Sequence, residues 1–391
     1  MNEILFQLKR LQTISFAAGV GFLILSGISA GINPSALFIS WLFAFIFWTG
    51  LALGCFNIAM IQYLTAGRWG NVTLRFLEAG FMTLPLMAVF FVPVLFGLHE
   101  LYPWARPAAV AADKILQQKV HYENFYGFAA RGVFFFGTWI LMATRLRKWS
   151  LQQDSTTAAA PSIKLRTLSG PGVVIVPLTA TFAFVDWIMS IEPAWFSTIF
   201  CVAILSGEVL VAFAFVIILL AWFCRQPPFV EIVTPRHFLD LGNLLLAFVM
   251  FWTYVAFSQF LIIYSGNQPH EIGWYLRRVA GDWKWLAVFL GLFHFLAPFF
   301  LLLFRGFKKS AKRLVVIAGL IFGAHVLEIF WAIMPTFYPA GIKIHWTDFT
   351  AWLGIGGIWL AVFAGNLKRH PIFALNQPAN EKIISATRHA G

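Results

Sequence analysis

The sequence predicts an all-α integral membrane protein of about ten transmembrane helices, with two pseudo-repeated four-helix bundles (spans two to five and six to nine) and peripheral spans one and ten. Three observations carry this. The 391-residue chain is 60% hydrophobic and 11% charged, with a mean hydropathy of +0.78, whereas soluble domains run at roughly 45–50% apolar and about 25% charged. Its apolar residues fall into ten runs of membrane-crossing length, and two parts of the chain repeat the same residue types in the same order. A soluble domain of this length cannot hide so much apolar surface, so lipid is the solvent.

A helix needs about 20 residues to cross a ~30 Å hydrocarbon core. The runs in the first half are Ile14–Ala30, Ala36–Leu64, Leu74–Leu98, Phe125–Ala143 and Pro171–Ile191. Those in the second half are Phe196–Phe223, Phe238–Ile263, Trp283–Phe304, Leu314–Met334 and Trp346–Asn366. The first run follows Lys9 and Arg10, as a secretory signal would. It is long for that role and further spans follow directly, so it reads as a retained helix.

Orientation follows from the basic residues of the loops. With both termini on one side, 20 of the 28 Lys and Arg fall on that side and 8 on the other, which predicts cytoplasmic termini. The net charge of +12 lies in short loops between apolar runs rather than on a polar domain. Membrane lipids, not nucleic acid, are therefore the expected partner of that charge. On the far side, Ala108–Lys119 reads as an amphipathic cap, while residues 146–170 read as a flexible Ser/Thr/Ala/Pro linker. Residues 367–391 read as a cytoplasmic tail. Trp149, Trp195, Tyr264, Trp274 and Trp346 sit where interfacial aromatic belts are expected.

The repeat pairs Arg75-Phe76-Leu77-Glu78-Ala79-Gly80 with His237-Phe238-Leu239-Asp240-Leu241-Gly242. It also pairs Asp186, seven residues before Pro193, with Glu328, seven before Pro335. The bundles are then residues 36–193 and 196–335, of the same sense, related by a pseudo-twofold along the membrane normal. Asp186 and Glu328 are expected at equivalent places in the two.

A charge in hydrocarbon needs a partner, water or neutralisation. Asp240, Glu208, His294, His325 and Glu328 are the proton-path candidates, read as a ladder of successive depths from the terminal side outward. His325 and Glu328, three apart, share a helix face. Carboxyl and imidazole groups suit a relay because buried ones take and release protons near neutral pH. The competing reading makes them interhelical hydrogen-bond anchors. Glu78 and Asp240 lie close enough to headgroups to be solvated, and Arg131 reads as the structural counter-ion of Asp186. Two histidines and a carboxylate can also bind iron or zinc, but the sequence does not place His294, His325 and Glu328 in ligand geometry. Gly354, Gly356 and Gly357 permit close helix contact in span ten. Cys55, Cys201 and Cys224 are too few and too scattered for a disulfide framework or an iron–sulfur cluster, and no C-x-x-C-H haem motif occurs. No metal or redox cofactor is expected in this chain, and no catalytic residue is assigned.

Three strings now carry a resemblance. They are Asp186-Trp187-Ile188-Met189-Ser190-Ile191-Glu192-Pro193-Ala194-Trp195-Phe196-Ser197-Thr198, Phe257-Ser258-Gln259-Phe260-Leu261-Ile262-Ile263-Tyr264-Ser265-Gly266-Asn267, and Leu101-Tyr102-Pro103-Trp104-Ala105-Arg106-Pro107 continuing to Leu116-Gln117-Gln118-Lys119. They resemble the ActF-type membrane subunit of bacterial alternative complex III, of the NrfD-like superfamily, over nearly the whole chain. The resemblance implies a quinol:electron-acceptor oxidoreductase complex with haem c subunits, an iron–sulfur subunit and an ActC-like sister. It assigns quinol oxidation mainly to that sister, so a quinone is the weaker expectation here, and makes this subunit a candidate for proton translocation. Two other readings are an NrfD-type quinol-oxidising anchor of a molybdopterin/iron–sulfur oxidoreductase and a stand-alone secondary transporter. Neighbouring genes separate the three.

Overall fold

In the computed structural model, which describes residues 2–156 and 159–373, the described residues form helices and turns, with no strand among them. Ten helical segments are long and apolar enough to cross a membrane, as an all-α integral membrane protein requires. Span one is Asn2–Ile28, span two Pro34–Thr65, span four Phe125–Asp154 and span five Ala160–Trp187. Span six is Phe200–Phe223, span seven Pro235–Gly266, span nine Ala311–Phe337 and span ten Trp346–Lys368. Below, the terminal face is the one where span one begins and span ten ends; the opposite one is the far face.

Spans three and eight are interrupted, each beside a proline. Span three runs as Arg68–Phe81 and Leu84–Phe96. Pro85 occupies the first turn of the second piece, where a missing N–H costs nothing, and the Thr83 hydroxyl donates to the Gly80 carbonyl at 2.7 Å. Span eight passes from Trp283–Leu290 through a π-helical turn, Gly291–Leu296, to Ala297–Leu303. Pro298 cannot donate to the carbonyl of residue 294, and a wider turn relieves that loss. The turn carries His294, which is fully buried.

Spans two, three, four and five close a ring of neighbours, and spans six, seven, eight and nine close a second. Spans two and six, buried almost throughout, join the rings along their length; span ten packs on span two, and span one on span ten. Small residues set the last contact: a Cβ on Gly357 would meet the Cα of Gly19 at 2.6 Å, and one on Gly354 the side chain of Leu23 at 2.8 Å. Only helices without side chains at these positions approach so closely.

Three expectations change, and the expected partly helical cap resolves into its pieces. The linker at 146–170 is mostly helix: span four continues to Asp154 and span five begins at Ala160, with Pro161 in its first turn. Arg147, Ser150 and Gln153 continue the buried face of span four, which keeps the helix wound past the apolar run. The cap at Ala108–Lys119 is two short helices, Pro107–Ala112 and Lys114–Lys119, parted at Asp113, whose carboxylate accepts from the Ile115 N–H at 2.8 Å. Trp195 and Trp274 are not belt residues; they are buried and stacked with ring centroids 4.8 Å apart, because the far-face loops fold over them. Nor is Glu78 solvated. It is completely buried, with Arg75, Arg147, Ser150 and Tyr63 donating to its carboxylate. Of the expected tail, residues 374–391 lie outside the described residues.

Candidate functional site

The four helices of the second ring send five polar side chains to a common point. Glu208 comes from span six, Trp252 from span seven, His294 from the π-turn of span eight, and His325 with Glu328 from span nine. Glu208, His294 and His325 are wholly buried, and Glu328 retains 8% exposure. The three-residue spacing of His325 and Glu328 puts both on the face of span nine that meets span six.

The contacts form a chain. His325 Nε2 lies 3.2 Å from Glu208 Oε2, and His325 Nδ1 lies 2.8 Å from Glu328 Oε2. One imidazole thus bridges two carboxyl groups through its two nitrogens. The Trp252 indole N–H donates to the other Glu328 oxygen at 2.7 Å. His294 Nδ1 stands 3.4 Å from Glu328 Oε2, and its ring packs on Trp252 with centroids 4.2 Å apart. Neither His294 nitrogen makes a protein hydrogen bond, and Glu208 Oε1 is also left without one. Buried polar atoms without partners are costly, and a proton or a water is the smallest partner that would satisfy these.

Glycines give the carboxyl its place. A methyl on Gly50, in span two, would fall inside the Glu208 carboxyl group, and one on Gly207 would meet the His325 ring at 2.8 Å. Glu208 therefore lies in the seam between the two rings, where span two passes span six.

This geometry revises the sequence picture. Glu208, His294, His325 and Glu328 are one cluster rather than steps of a ladder. Asp240 stands apart, 12 residues before Trp252 on span seven, about 18 Å along the axis at 1.5 Å per residue. It is partly exposed and faces Arg68 at 3.7 Å. The Arg131–Asp186 pair is present, with Arg131 Nε donating to Asp186 Oδ2 at 2.7 Å. Asp186 sits one residue from the end of span five, whereas span nine continues beyond Glu328 to Phe337. The second helix thus has two further turns on its far side.

The metal question also changes, since His294, His325 and Glu328 offer ligand atoms within 4.8 Å of one another. Nitrogen and oxygen ligands about 2.0–2.1 Å from a tetrahedral zinc lie roughly 3.3 Å apart. The trio would have to contract, and its closest edge is already the His325–Glu328 hydrogen bond. Proton exchange needs no such movement.

Sequence reasoning missed Trp252, Gly50 and a second node at the far face. There, Glu192 meets Arg278 Nη1 at 3.1 Å, Arg277, and the Thr336 hydroxyl at 2.5 Å. Arg278 lies on the short far-face helix Pro269–Val279 and is 1% exposed. Burial lowers its pKa to about 10, so it stays a cation at neutral pH. Glu192 lay within a quoted string, but nothing in the spacing tied it to the loop arginines.

A scan against protein-family models and a search of curated proteins found no match for this chain.

Proposed function

We propose that this chain is the membrane subunit of a quinol:electron-acceptor oxidoreductase of the alternative complex III type, with no redox centre of its own, carrying part of a proton-translocation path. The reading of the complex rests on the three strings given above. The reading of the proton path rests on one observation: an imidazole bridging two carboxyl groups inside a membrane helix bundle. His325 can take a proton from Glu208 at Nε2 and release another from Nδ1 to Glu328, so that a charge crosses the ring without the ring moving. A turn of the ring about its Cβ–Cγ bond then restores the first tautomer, because sending protons back through the same two nitrogens would undo the transfer. The Trp252 N–H holds Glu328 in line, and His294 is a second acceptor beside it. The pseudo-twofold relating the two rings, and with it the equivalence of Asp186 and Glu328, belongs to the same proposal.

On this reading the tagged chain, solubilised mildly from its native membrane, co-purifies with haem c and iron–sulfur subunits; isolation as a single species overturns the assignment. Glu208→Gln and Glu328→Gln are expected to leave quinol-driven electron transfer near its normal rate in proteoliposomes while lowering proton release per electron. Unchanged ratios in both variants would leave these residues as packing anchors. The terminal face is taken as cytoplasmic. A reporter fused after the last residue should then be active only in the cytoplasm, and periplasmic activity reverses the orientation.

A further inference from the structure

Outward from Glu328, span nine passes Ala332 after one turn and Thr336 after two. Arg278 occupies that stretch. Its Nη2 donates to the Ala332 carbonyl at 2.6 Å and to Thr336 Oγ1 at 3.2 Å, and its Nη1 to Glu192 and to the Trp274 carbonyl, each at 3.1 Å. The guanidinium lies 3.6 Å over the Trp274 ring, and the Arg278 carbonyl accepts the Trp331 indole N–H at 3.0 Å. Its Nε has no protein partner. Beyond it opens a far-face cavity of about 580 Å³, whose lining includes Glu192, Thr336, Arg277, Asp113 and His270. A buried cation therefore stands on the stretch of span nine between the relay and this cavity.

We propose that Arg278 is an electrostatic valve: its fixed positive charge opposes the return of protons from the far-face cavity to Glu328. This rests on the proton-path reading above. A cation repels a proton approaching through a poorly hydrated passage, as positive charge does in pores that exclude protons. Arg278 reaches the carbonyl one turn from Glu328, about 6 Å along the helix. At that range a unit charge in a partly screened site changes a proton's occupancy by on the order of tenfold or more. Glu192 offsets part of this charge and holds the guanidinium in place. Arg277 and Thr336 also hold Glu192, so the node retains a framework when Arg278 is neutralised.

The test uses the whole complex in proteoliposomes, with proton release per electron measured in the first turnovers and again against an imposed gradient, acid on the far side. Arg278→Gln should match the unsubstituted complex at zero gradient and fall at least about twofold below it against the gradient. Arg278→Lys keeps the charge and should hold the ratio under both conditions. A ratio in Arg278→Gln that does not respond to the gradient overturns the valve, and so does an equal fall at zero gradient, which marks a merely structural residue. Failure of Arg278→Lys to restore gradient resistance also overturns it. Glu208→Gln and Glu328→Gln read the path itself: a lowered ratio at zero gradient in either keeps the path whatever Arg278 does, and unchanged ratios in both remove path and valve together.

Discussion

Glu78→Ala is expected to destabilise the protein by about 3–5 kcal/mol, because it removes a carboxylate shared by two buried guanidinium groups and leaves one of them without a counter-charge. Arg75 and Arg147, 2% and 7% exposed, both donate to the Glu78 carboxylate. Arg75 also reaches Asp154 and Ser150, and Arg147 the carbonyl of Asn366. One carboxylate thus ties spans two, three, four and ten together near the terminal face. Without it, Arg147 loses its only carboxylate contact among the described residues in a setting that cannot hydrate it. Asp186→Asn should cost less, about 1–3 kcal/mol, although it too removes the partner of a guanidinium. Arg131 is 23% exposed, retains the Tyr122 carbonyl at 3.0 Å and lies over the Tyr122 ring. Unfolding midpoints of the two variants in one detergent check the order. If Asp186→Asn is the more damaging, burial is not what sets the cost.

From the sequence Arg131 and Asp186 read as an ion pair and Glu78 as solvated, for a physical reason. Arg131 falls inside an apolar run, so its need for Asp186 is visible. Arg75 and Arg147 fall at the edges of runs and count as loop charges in an orientation tally. Whether such an arginine meets headgroups or turns inward depends on where the helix ends, and span four ends eleven residues beyond Ala143, at Asp154. Hydropathy locates spans well, because the cost of unpaired polar backbone in lipid leaves few alternatives to a long apolar helix. It does not locate the turns that polar residues add once they have protein to face.

The candidate site was legible to the same degree and for similar reasons. His325 and Glu328 share a face by periodicity alone, and each polar residue in an apolar run is conspicuous. Their convergence with Glu208 and His294 was not legible as a cluster. It requires knowing which helices are neighbours, and depth estimates from run ends spread one cluster into several levels. The π-turn at Gly291–Leu296 adds to this, since it changes the facing of every residue after it by more than a helical wheel allows. Trp252 had no signal at all among 17 tryptophans, because only its contact with Glu328 distinguishes it.

Gly50 makes the sharpest test of that cluster, because the residue carries no chemistry of its own. Gly50→Ala places a methyl inside the volume of the Glu208 carboxyl. Spans two and six already touch, since a Cβ on Gly54, one turn on, would also collide with the Glu208 backbone, and spans three, five and ten pack around span two and oppose its retreat. The carboxyl must therefore swing off its line to His325, and the 3.2 Å contact with Nε2 is lost. Overpacking of this kind costs about 1–3 kcal/mol, visible as a lower unfolding midpoint. On the proposed reading, proton release per electron should drop to the level of Glu208→Gln while electron transfer continues. Glu208→Asp on the Gly50→Ala background withdraws the carboxyl by one methylene, roughly 1.5 Å, and makes room for the added methyl. The double variant should recover most of the lost stability, and the two single effects should not add, as expected for residues in direct contact. If Gly50→Ala leaves both the midpoint and the proton ratio unchanged, Glu208 does not occupy the seam between the rings, and the relay loses its first member.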